Sequence, residues 1–170
     1  MREDGVTLTE LLVVVSIIAI LALALGFSFQ GWTGNYKIES ETKELYADLM
    51  NARTMAMTRN MMHFVVLNAN NYQIYDDTND NATPDPGSGD NPVPEFATAK
   101  TVPYSLGWTG RIAFDTRGIA SITDSGGTVS TDATIILNVP SGNNPDYDCV
   151  LVYQCKIRTG KHAGSVCNPK

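Results

Sequence analysis

One run of residues constrains this chain more than any other. From Leu11 to Phe29 only Ser16, Gly26 and Ser28 interrupt the apolar side chains, and a single carboxylate, Glu10, opens the run. A bilayer core is crossed by about 20 apolar helical residues, so residues 6–29 are expected to form a membrane-spanning helix. An ionised carboxylate or ammonium in such a helix costs about 2.5–3.5 kcal/mol at its centre, which marks Glu10 as a functional residue with a partner to find.

A secretory signal places its small-residue cleavage site after the apolar region, so that the apolar segment is discarded. Here the small residue, Gly5, stands before it, at the end of the charged leader Met-Arg-Glu-Asp-Gly. Gly5, then Val-Thr-Leu-Thr-Glu10 and an apolar helix, resembles the class III signal of type IV pilins and type II secretion pseudopilins. That resemblance implies a prepilin peptidase that removes residues 1–5 by cutting between Gly5 and Val6 and methylates the new amine. It also implies that Glu10 faces the terminal ammonium of a neighbour's Val6 when helices stack in a filament. Opposite charges in a low-dielectric bundle attract far more strongly than in water. Two features depart from the family pattern: the mature chain begins with Val6 rather than Phe, and the leader's Arg2 is opposed by Glu3 and Asp4.

Beyond the run, Gln30-Gly-Trp-Thr-Gly-Asn35 carries two glycines, each weakening a helix by about 1 kcal/mol relative to alanine, so a kink or a melted turn is expected there. Trp32 and Tyr36 fall where aromatic rings anchor at a membrane interface. Ile38, Leu45, Leu49, Ala52 and Ala56 recur at three- and four-residue steps, with Thr42 in the gap. The spacing predicts an amphipathic helix over residues 30–60 that continues the spine to a total of about 80 Å. From Met62 onward β-rich runs take over: His63–Leu67, Tyr72–Tyr75, Arg111–Phe114, Thr134–Val139 and Cys149–Tyr153. Asn, Gly, Pro and Asp clusters separate them, as in an antiparallel sheet with hairpins. The expected fold is α+β, a long amino-terminal helix packed on a β-rich domain over residues 61–170.

Ala52-Arg-Thr-Met-Ala-Met-Thr-Arg-Asn60 ahead of the first strand resembles the helix-end signature of the GspH/FimT branch of minor pseudopilins. Phe114-Asp-Thr-Arg-Gly118 is similar to a second element of that branch, Phe-x-Pro-x-Gly, with Thr116 in place of proline. The resemblance implies a pilin-like fold, a single-pass inner-membrane protein with a periplasmic carboxy-terminal domain, and assembly with other pilins or pseudopilins near a filament tip. It implies a part in protein secretion or pilus biogenesis, with secreted cargo as a further partner.

Three cysteines, Cys149, Cys155 and Cys167, fall in the last 22 residues, on the side this topology places in an oxidising compartment. Cys149 and Cys155 would stand about 20 Å apart in one extended strand, too far for a bridge. Cys167 is therefore expected to pair with one of them, and Cys155–Cys167 is the favoured disulfide.

The net charge of −6 comes largely from the block Asp76 to Glu95, which argues against a broad nucleic-acid surface. Asp77, Asn79 and Asn81 have the alternate spacing that opens a calcium loop, which makes Ca2+ a candidate ligand of a tip domain. Ala82 and Ser88, however, stand where an EF-hand needs its glycine and its bidentate glutamate. A solvated hairpin loop is the simpler reading. Lys156, Arg158 and Lys161 form a basic stretch, and by analogy with FimT-type members such a segment implies phosphate contacts to DNA, without the Gly-Arg-x-Arg string of that type. No nucleophile, base and orienter can be assembled, and there is no phosphate loop or dinucleotide fingerprint, so the chain does not read as an enzyme and needs no cofactor for catalysis.

Overall fold

The computed structural model describes residues 7–83, 89–164 and 166–170, with the side chains of 24–31 left aside. One helix, α1, runs from Leu8 to Arg59 without interruption. No melted turn interrupts it at Gln30–Asn35: the helix continues through both glycines. Gly34 has a packing reason instead. A Cβ there would stand 2.3 Å from the side-chain nitrogen of Asn143, so the bare backbone lets the loop before Cys149 close onto the helix. At the far end Asn60 adopts the left-handed conformation, φ 52°, and its N–H caps the helix on the Ala56 carbonyl.

Among the described residues eleven strands follow: β1 His63–Leu67, β2 Asn71–Asp76, β3 Asn91–Pro92, β4 Lys100–Thr101, β5 Gly110–Phe114, β6 Ala120–Asp124, β7 Val129–Ser130, β8 Asp132–Ile136, β9 Cys149–Tyr153, β10 Lys156–Ala163 and β11 Val166–Pro169. All pairings are antiparallel, but they form two sheets rather than one. The first has the order β3-β2-β1-β5-β6-β7, with β4 also on β2; the second is β11-β10-β9-β8. The expected strand at 134–139 begins two residues earlier and ends at Ile136, because Leu137 turns away to bridge Leu106.

Strand alternation decides which side chains meet the helix. Val65, Leu67, Tyr72, Ile74, Ile112 and Ile122 of the first sheet, and Ile135, Val150, Val152 and Ile157 of the second, join Leu45, Leu49, Ala52 and Ala56 in one core. The helical stripe read from the sequence, Ile38, Thr42, Leu45, Leu49, Ala52 and Ala56, is at most 1 % exposed throughout. Burying each large aliphatic side chain contributes about 1.5–3 kcal/mol. Thr42 is admitted to this stripe because its hydroxyl donates to the carbonyls of Ile38 and Tyr147.

The described side chains of the first half of α1 have no such partner. Leu8, Leu11, Leu12, Val13, Ile17, Ile18 and Leu23 are all at least half exposed. Among the described residues no helix is long and apolar enough to cross a membrane. The described apolar side chains stop at Leu23, short of the about 20 residues a span needs, so they do not by themselves bear out a span over 6–29.

Candidate assembly interface

The exposed half of α1 is the surface to explain. Leu8, Leu11, Leu12, Val15 and Ala19 line up at three- and four-residue steps on one side of the helix, around Ser16. The Ser16 hydroxyl donates to the Val13 carbonyl at 2.7 Å, so it brings no unmet hydrogen bond into the run. Valines, isoleucines and leucines also cover the other sides, which gives a helix apolar all round, the pattern of a segment surrounded by lipid or by other helices.

Glu10 sits in the first turn, where the helix dipole favours a carboxylate. Thr7 is the N-cap, and its hydroxyl accepts the Glu10 N–H at 3.3 Å, one half of a capping box. The string Thr-x-x-Glu at residues 7–10 signals this box, and the sequence reading above passed over it. The Glu10 carboxylate is exposed and makes no ion pair among the described residues. Gly5 and Val6, the expected processing site, lie outside the described residues.

The other half of α1 carries the docking surface. The two short motifs at 52–60 and 114–118 meet in space. Gly118, at φ 76°, sits where a Cβ would stand 2.8 Å from the Met57 sulfur and 3.1 Å from Arg53 Nε. Arg53 in turn donates to the Cys155 carbonyl at the β9–β10 turn. Asp115 ties the turn around Thr116 together. Its carboxylate accepts the N–H groups of Arg117 and Ile119 at 2.9 and 2.8 Å and a two-pronged contact from the Arg117 guanidinium. Partial burial pushes the Asp115 carboxyl up, but these hydrogen bonds outweigh it and hold the group below the usual carboxylate range.

Two polar clusters fasten the helix to the first sheet. Asp48 accepts from the Tyr72 hydroxyl and from Lys100, and Lys100 also reaches Glu44 at 2.7 Å. Burial pushes the Tyr72 phenol far up, with the Asp48 hydrogen bond and charge adding to it. Near the helix end, Asp76 bridges Arg59 at 3.2 Å and the fully buried His63 at 2.8 Å. The other ring nitrogen of His63 faces the Met61 carbonyl at 2.9 Å. His63 is thus a fully buried core residue set between Met61 and Asp76, as its apolar strand suggested.

The disulfide is the main correction. Cys149 bonds to Cys167, and Cys155 is free and exposed. The expected Cys155–Cys167 pairing fails because Cys155 lies in the β9–β10 turn, at the opposite end of β9 from Cys149. Cys149 pairs in register with Gly160 of β10, while Cys167 pairs with His162 two positions on. The bridge crosses above Gly160, where a Cβ would stand 2.9 Å from the Cys167 sulfur and 2.4 Å from the Asn168 carbonyl oxygen. Strand β10, with Gly160 at this crossing, could not be anticipated from a run that lacks apolar alternation.

Of the candidate calcium ligands Asp77 is buried, while Asn79 and Asn81 are exposed. The Asp77 carboxylate accepts the N–H groups of Asn81 and Ala82; Asn79 also accepts from Asn81, and Asn81 accepts from Thr83. These are the side-chain-to-backbone bonds of consecutive Asx turns. Among the described residues no group of three or more His, Cys, Asp or Glu could hold a metal ion.

The basic residues of β10 are split by strand alternation. Lys156 and Arg158 share the outward face, and Lys161 has the opposite parity and donates to the Asn144 side chain at 2.7 Å. They do not form one patch.

A family model described as type II transport protein GspH matches residues 41–154. The prokaryotic N-terminal methylation motif matches residues 1–26. No curated protein and no solved structure matches the chain. The first match covers the packed half of α1 and the strands through β9; the second covers the leader and most of the apolar run.

Proposed function

Because the chain belongs to the type II transport protein GspH family, we propose that it is a minor pseudopilin, a structural subunit built into a short filament through its amino-terminal helix. Family and methylation motif together support a pilin-like subunit of type II secretion or type IV pili, a structural rather than enzymatic kind of protein. Prepilin peptidase cuts after Gly5, leaving Val6 as the methylated terminus. Residues 6–29 hold the subunit in the inner membrane, residues 30–60 carry the spine into the periplasm, and residues 61–170 form the periplasmic domain. On assembly near the filament tip the apolar half exchanges lipid for the helices of other pilins, and Glu10 meets a neighbour's Val6.

The observation that carries this reading is the division of one continuous helix into a half buried in its own domain and a half apolar on every side whose described side chains, Leu8 to Leu23, are exposed. A helix of that kind needs an apolar environment from outside. Intact-mass analysis of protein extracted from membranes tests the processing step. The expected mass is that of residues 6–170 plus one methyl group; a retained leader refutes it.

A further inference from the structure

Between Glu10 and Lys37 the chain carries no charged residue at all. Both flanking positions lie on α1, and at 1.5 Å rise per residue they are about 40 Å apart. A bilayer is about 30 Å thick across its hydrocarbon and about 40–45 Å with its headgroup layers. The charge-free span therefore matches the whole bilayer, with Glu10 at one polar surface and Lys37 at the other.

Trp32 and Tyr36 occupy the end of this span. They lie about 33 and 39 Å along the helix from Glu10, just past one hydrocarbon thickness. Their rings stack on each other, centroids 6.2 Å apart with an interplanar angle of 25°. Neither packs on the β-domain: Trp32 is 69 % and Tyr36 66 % exposed. The domain begins in the same turn of helix on another side, where Asn143 closes on Gly34 and the Asn35 side chain accepts the Asn144 N–H at 2.9 Å. A stacked pair of amphipathic rings left bare there has one side free for the zone between acyl chains and water, which Trp and Tyr prefer.

We infer that Trp32 and Tyr36 are a headgroup-layer anchor: the pair docks into the bilayer interface and sets how deeply the helix sits before assembly, holding the β-domain flush with the periplasmic surface. The occupant of this face is the lipid interface of the bilayer that residues 6–29 cross, so the inference rests on the membrane-seated reading above. Its geometry is specific, because Gly34 and Asn35 are tied to the domain and ring depth and domain height cannot vary separately.

Flotation of the full chain with phosphatidylcholine vesicles, followed by tryptophan fluorescence with acyl chains brominated near the headgroup or near the bilayer centre, tests it. The Trp32→Phe variant supplies the Trp108 background. The expected result is co-flotation, a blue-shifted Trp32 emission and stronger quenching by the shallow bromines than by the deep ones. Co-flotation with a water-like, unquenched Trp32 overturns the anchor and leaves the rings to another subunit, while the membrane-seated reading stands. Strongest quenching by the deep bromines also overturns it, since the rings would then lie in hydrocarbon. A chain that fails to float overturns the membrane-seated reading and the anchor together.

Discussion

The two halves of α1 share one backbone and obey opposite solvation rules. Past Gly34 the helix keeps a narrow apolar stripe and turns it to two sheets, with charged residues such as Lys37, Lys43 and Glu44 on the remaining faces. Before Gly34 the stripe widens to the full circumference, and the described apolar side chains from Leu8 to Leu23 are left exposed. The same side chain thus stands in opposite surroundings at different points: Leu49 is fully buried in the core, and Leu12 is exposed. Length of helix alone does not separate them; the distribution of apolar residues around it does.

Replacing Leu49 with Ala should sharpen this contrast most. The expected loss is about 2–5 kcal/mol in denaturant unfolding of the detergent-solubilised chain, as for other buried leucines. The same change at Leu12 should leave stability within about 0.5 kcal/mol. Equal losses at both positions would break the comparison.

Next comes the bridge that secures β11, after which Lys170 reaches Asp146 in the loop that grips the helix. Converting both Cys149 and Cys167 to Ser should cost about 3 kcal/mol, whereas Cys155→Ser should cost little. Peptide mapping without reduction should recover the 149–167 pair. Gly160→Ala, which sets a methyl group against the Asn168 carbonyl, should cost about 1–3 kcal/mol.

A smaller effect is expected at Asp115. Its folded-state carboxyl is held below its ordinary range, so its contribution is present above the unfolded value and is lost as pH falls through the folded one. Asp115→Ala should cost about 1 kcal/mol at neutral pH. The gap between variant and parent in thermal melts should close on acidification; a gap independent of pH would contradict the assignment. The smallest effect belongs to Lys156→Gln with Arg158→Gln on the exposed face of β10, expected within about 0.5 kcal/mol.

Much of this arrangement is legible in the sequence because its periods are clean. The stripe from Ile38 to Ala56 is a helix-period signal, and His63–Leu67 and Cys149–Tyr153 are apolar runs whose strand bounds coincide with the observed ones. Strand β6 alternates Ala120 and Ile122 inward with Ser121 and Thr123 outward, a signal that was present and unused. Strand β10 offered none: only Ile157 and Gly160 are buried in it, and it is held by pairing with β9 and β11. Pairing of strands distant in sequence is what a local pattern cannot report, and the disulfide depended on it. The glycines at 31 and 34 misled for a related reason. Propensity argues for a break, while the Gly34 contact with Asn143 shows a demand for close approach. At the candidate site, Glu10 was visible as an anomalous charge, but its capped first turn emerged only with the Thr7 hydrogen bond.

The central claim is that the bare half of α1 exists for assembly and that Glu10 serves it. Glu10→Ala, expressed in cells alongside the other pilin-like subunits, tests this most directly when membrane insertion and filament incorporation are measured in the same samples. The account predicts insertion at the parental level with incorporation sharply reduced. Parental incorporation by the variant would contradict it.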